Sequence, residues 1–99
     1  MSDYYRITKA GVIMPMTDVV KWGRWFQNAD RCIAVTQIGG SKVSTVFLGL
    51  DHGSIQGRPI LFETMVFGGP KDGEQYRCCT LREAKVVHES MCESVRNAT

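Results

Sequence analysis

The chain reads as an α+β fold: an antiparallel sheet of three to four strands, connected as a meander, with two helices packed on one face. Three observations predict it. Four β-rich runs follow one another between residues 31 and 79, separated by short segments rich in glycine. An amphipathic helical pattern precedes them and a second follows them. Connections this short join antiparallel neighbours, and helices grouped outside a run of strands pack together against the sheet.

Residues 4–14 place Tyr4, Tyr5, Ile7, Val12 and Ile13 around Gly11, which predicts a short strand or an extended arm. Thr17 or Asp18 then caps a helix, because either side chain can accept from the free amides of a first turn. Val19, Trp22 and Phe26 form its apolar stripe, Trp25 widens it, and Lys21, Arg24 and Gln27 face away. Residues 28–30 end it. The run 31–38 is β-rich, and Gly39-Gly40-Ser41 turns it into a return strand over 43–50. A loop over 53–58 leads to a third strand that opens at Pro59 and reaches Phe67. Residues 68–73, GGPKDG, are the strongest turn signal in the chain. They lead into a shorter, more polar strand over 74–79, suited to a sheet edge. Thr80 and Glu83 match a capping box, in which each side chain satisfies the other's free backbone donor. Ala84, Val87, His88, Met91 and Val95 recur behind it at helical spacing, with Arg82, Glu89 and Glu93 on the wet side. Fraying is expected past Val95.

Ninety-nine residues suit a single domain. Apolar residues at 43% and charged residues at 22% are ordinary for a soluble globular protein and argue against disorder or a fibre. Twelve basic against ten acidic side chains give a net charge of +2, dispersed along the chain. That disfavours a nucleic-acid partner, including one held by Lys21, Arg24 and Arg31 around the tryptophans. The longest uncharged apolar run is far shorter than the roughly 18 residues of a membrane span. No secretory leader pattern opens the sequence, so a cytoplasmic location is expected. Cys32, Cys78, Cys79 and Cys92 lack metal-ligand spacing and are expected to be reduced. No phosphate-loop, dinucleotide, nucleophile-elbow or zinc-protease motif occurs, and no cofactor is expected.

With Leu50 set opposite Ile60, alternation divides the central strands into two faces. Val46, Leu48, Leu50, Ile60, Phe62 and Val66 share the face under the helices. Thr45, Phe47, Gly49, Leu61, Glu63, Met65 and Phe67 share the other. That second face is too apolar for water and requires the arm, a second copy or a partner to cover it. Glu63 stands alone among apolar neighbours, so it reaches water or meets a cation, for which Arg31 is the nearest candidate in the adjacent run. Phe47, Asp51, His52, Glu63 and Met65 are therefore the candidate ligand- or partner-binding residues. A homodimer is expected on the same grounds.

Asp51 and His52 end the second run beside Gly53, where a carboxylate and an imidazole could serve acid–base chemistry or simply shape the turn. In the assumed register Asp51 and Glu63 lie roughly 13 Å apart, too far for a carboxylate dyad. His88 sits on the apolar stripe of the last helix and reads first as a core histidine. Should His52 turn toward it, Asp51, His52, Glu63 and His88 compose the alternative, a small hydrolase or lyase that could depend on a metal.

The strings VSTVFLGLDH and LFETMVFGG, with the helix pattern Glu83-Ala84 through His88-Glu89 to Met91, resemble a group of small proteins encoded by bacteriophages and prophages. The resemblance covers roughly the second half of the chain, with an echo around Trp22 and Trp25. Ser54-Ile55-Gln56 stands where that group favours an aromatic residue and more glycine. The group carries no established activity, so the resemblance transfers no site residue. What it implies is an accessory protein that binds a host component, either a protein or a small-molecule ligand, in the host cytoplasm. Interference with a host defence is the expected role, by masking a protein or sequestering a small ligand.

Overall fold

The computed structural model describes residues 3–51, 53–55 and 57–98. Its N-terminal part is a hairpin of β1 (Tyr4–Ile7) and β2 (Ile13–Met16), followed by α1 (Val19–Asn28). The extended arm is thus a paired ribbon. Gly11 makes its turn possible: the residue sits at φ 85°, and a β-carbon there would lie 2.9 Å from Leu81 Cδ2. Asp18 caps α1, its Oδ1 accepting from the amides of Val20 at 3.0 Å and Lys21 at 3.1 Å.

Four strands form the central antiparallel sheet in the order β3 (Cys32–Ile38), β4 (Ser41–Phe47), β7 (Phe62–Phe67) and β8 (Gln75–Cys78). The expected third strand is interrupted. Arg58–Pro59 forms β6, which pairs with β5 (Ser54–Ile55) in a small ribbon above the β4–β7 connection. α2 (Leu81–Ala98) crosses one face of the sheet and extends three residues beyond Val95, where fraying was expected to begin. Its capping box forms as expected: Thr80 Oγ1 accepts from the Glu83 amide at 3.1 Å, and Glu83 Oε1 accepts from the Thr80 amide at 3.1 Å. No helix among the described residues is long and apolar enough to cross a membrane.

The register of β4 on β7 departs from the expected one. Val46 lies opposite Glu63 and Phe47 opposite Phe62, one residue away from the register that sets Leu50 against Ile60. Because strand side chains alternate, a one-residue offset exchanges the two faces of one strand relative to the other. Ser41, Val43, Thr45 and Phe47 therefore turn toward α2 together with Phe62, Thr64 and Val66, and all seven are buried. Glu63, Met65 and Phe67 keep the far face, now opposite Val46, Ser44 and Lys42.

The core under α2 has two apolar halves. Val43, Val66, Met91, Cys92 and Val95 fill one. Phe47, Leu61, Phe62 and Ala84 fill the other, where Ile7, Ile13 and Trp25 of the N-terminal part close the end of the sheet. Burying Phe47 and Phe62 contributes roughly 1.5–3 kcal/mol each. A bulge in β3 between Cys32 and Ala34 lets Ile33 pack onto this second half while Cys32 stays exposed.

Candidate functional site

The residues singled out from the sequence fall in three separate places. Phe47 is a core residue: its ring is fully buried, 5.3 Å from Phe62 and 6.0 Å from Trp25 between centroids. The one-residue register offset removes it from the expected binding face. Asp51 lies beyond the end of β4, where its Oδ1 accepts from the amides of Gly53 at 3.1 Å and Ile60 at 2.9 Å. It closes the base of the loop, as an Asx turn does. His52 lies outside the described residues. Glu63 and Met65 do share the far face of the sheet.

Glu63 has a cation, but not Arg31. Its Oε2 accepts from Nε of Arg77 at 2.9 Å, directly across the β7–β8 pairing. Arg31 instead donates to the Phe47 carbonyl at 3.1 Å and lays its guanidinium 4.0 Å over the ring of Phe26. A cross-strand partner was hidden because it belongs to an edge strand whose pairing register is set by the turn at 68–73. There Asp72 Oδ1 accepts from the Gly68 amide at 2.6 Å.

The register turns the far face into a grid. Cys32, Val46, Glu63 and Arg77 lie along one row across the four strands. Val35, Ser44, Met65 and Gln75 lie along the next, and Gln37, Lys42 and Phe67 along the third. Ser44, with its small side chain, is bordered by Val35 and Met65 across the sheet and by Val46 and Lys42 along its strand. Val35 is 53% exposed and Phe67 45%, with the Lys42 ammonium 5.0 Å from the Phe67 ring centroid. The face is thus an apolar patch rimmed by Lys42, Gln37, Gln75 and the Glu63–Arg77 pair. Lys42, at the parity of Val46, was the sequence signal for this arrangement, since a charged side chain belongs on the wet face.

His88 lies on the opposite side, beneath α2. Its Nδ1 is 2.8 Å from Thr45 Oγ1 and its Nε2 is 2.9 Å from Thr36 Oγ1, while Thr45 Oγ1 is 2.6 Å from Thr64 Oγ1. These four side chains form a polar seam between the two apolar halves of the core. A neutral imidazole satisfies it completely: Nε2–H donates to Thr36, Nδ1 accepts from Thr45, and Thr45 accepts from Thr64. Burial holds the imidazole below its usual pKa, against a smaller opposing pull from the Glu89 carboxylate.

Glu63 and His88 therefore stand on opposite faces of the sheet and share no proton path. General acid–base chemistry needs its groups within hydrogen-bond reach of one reacting centre. Among the described residues, no three His, Cys, Asp or Glu side chains converge so as to hold a metal ion. The four cysteines are unpaired with one another. Burial, with the Glu83 carboxylate and Cys79 adding to it, raises the Cys78 thiol to about 11, which keeps it protonated and unreactive near neutrality. Comparison with protein-family models, curated proteins and solved structures finds no match to this chain.

Proposed function

We propose that this chain is a noncatalytic binding protein that docks a host protein on the open face of its sheet. One observation carries the reading: Val35, Val46, Met65 and Phe67 gather around Ser44 on a face that no helix among the described residues covers, with charged and amide side chains at its rim. Apolar centres with polar rims are how protein interfaces are built. The catalytic alternative has less support, because Asp51, Glu63 and His88 are each bonded to other partners, in three separate places. The resemblance to phage-encoded proteins supplies the setting, an accessory factor acting in the host cytoplasm by masking a defence protein.

The test is affinity capture from a bacterial host with wild-type protein and with Ser44→Arg and Met65→Asp, both at solvent-facing positions. Wild type should retain a partner at fixed stoichiometry, and each variant should weaken it by at least about tenfold with the circular dichroism unchanged. Undiminished retention by both variants removes this face from the reading. Light scattering on the purified protein addresses the other occupant, a second copy. A dimer that both substitutions dissociate would assign the face to self-association.

A further inference from the structure

A cleft of about 640 Å³ opens where the β1–β2 hairpin, the C-terminal end of α1, the start of β3 and the first turns of α2 meet. Its volume falls in the range of small-molecule sites, roughly 300–1,000 Å³. Its large apolar side chains are Ile7, Trp25, Ile33 and Leu81. Each also packs on the buried Phe47–Phe62 cluster, so the lining is set by the core and does not have to be assembled by a ligand. Trp25 is held edge-on by both Phe26 and Phe47.

The charged groups at this cleft are two ammonium groups and one carboxylate. Lys9, from the hairpin, and Lys85, from α2, both line it, and neither lies within ion-pair distance of a carboxylate among the described residues. The two tryptophans differ here. Trp22 commits its indole N–H to the carbonyls of Tyr5 at 2.9 Å and Gly49 at 3.1 Å. The Trp25 N–H has no acceptor among the described residues, and it is not sealed from solvent. The one carboxylate present, Asp30, has an oxygen occupied by the Cys32 amide at 3.0 Å. Two ammonium groups beside an apolar wall outweigh one partly engaged carboxylate.

We propose that this cleft binds a small aromatic anion, its ring against Trp25 and its carboxylate or phosphate between Lys9 and Lys85. A purely inorganic anion leaves the apolar wall unused, and a neutral ring leaves the two ammonium groups unpaired. The site shares only Cys32 with the open sheet face, at the far end of the grid's first row.

The experiment is an NMR titration of the full chain, following the two indole N–H signals. The probes are adenosine monophosphate and 1-naphthoate, with adenosine and ribose 5-phosphate as controls that each lack one half of the proposed ligand. The expected result is a saturable shift of the Trp25 signal, larger than that of Trp22, with at least one aromatic anion, and binding at least about tenfold weaker for the controls. The variant Lys9→Glu/Lys85→Glu, altered only at exposed positions, should weaken that binding by a similar factor with its thermal midpoint unchanged. Absence of a saturable Trp25 shift with both anions overturns the proposal. So does binding that is indifferent to the charge reversal.

Discussion

The Thr45 hydroxyl stands 2.8 Å from Nδ1 of His88, joining the middle of β4 to the middle of α2 between the two apolar halves of the core. The contact is satisfied with the imidazole neutral, and that condition has measurable consequences.

Stability should depend on pH through His88. Its folded-state pKa lies below the ordinary imidazole value, so the unfolded chain binds the proton more readily. The contribution is complete above about pH 6.5, the unfolded value. It is lost progressively as pH falls through the lower folded value. Urea unfolding from pH 7.5 to 5 should show this decline in wild type and its marked reduction in His88→Asn, which cannot take up the proton.

Thr45→Val should destabilise by about 1–3 kcal/mol, because it removes a shared hydroxyl and leaves both His88 Nδ1 and the Thr64 hydroxyl without that partner. Thr45→Val/Thr64→Val should cost less than the sum of the single changes, since the two side chains belong to one network. Chemical denaturation of the three variants measures this directly.

Phe47 and Phe67 should respond very differently to truncation. Phe47→Ala opens a cavity between Phe62 and Trp25 and should cost about 3–5 kcal/mol. Phe67→Ala, at a position 45% exposed, should cost less than about 1 kcal/mol. Equal losses would contradict the register of β4 on β7.

Glu63→Gln should change stability by less than about 1 kcal/mol, because its pairing with Arg77 is solvent-facing and half of it is well exposed. The same substitution should reduce wild-type sensitivity to added salt only slightly, which thermal melts at low and high ionic strength would record.

Local signals in the sequence were legible because their physics is local. Asp18 and the aromatic stripe bounded α1, Thr80 and Glu83 marked the start of α2, and the glycines at 39–40 and 68–69 located two turns. The α+β architecture followed from these. Register was not legible, since it depends on contacts between distant segments. Setting Leu50 against Ile60 instead of Phe47 against Phe62 moved Phe47 to the wrong face, while the separate register of β8 on β7 hid the partner of Glu63, Arg77. Two side chains held the missing information. Lys42 needs water, and His88 needs hydroxyls, which Thr36, Thr45 and Thr64 can supply only if they face the helix. The N-terminal ribbon was read only as a strand or arm, because its turn relies on Gly11 clearing Leu81, seventy positions away.

Gly49 offers a last consequence. Its carbonyl takes two donors, the Tyr5 amide at 2.9 Å and the Trp22 indole at 3.1 Å, one from the hairpin and one from α1. Both N-terminal elements are thereby moored to the same atom of the chain just past β4. With one acceptor shared between them, the hairpin and α1 are expected to open as one cooperative unit of unfolding. Hydrogen exchange would see this as a shared opening energy for the amides of Tyr5 and Trp22, lower than that of Thr45 or Val66 within the central strands.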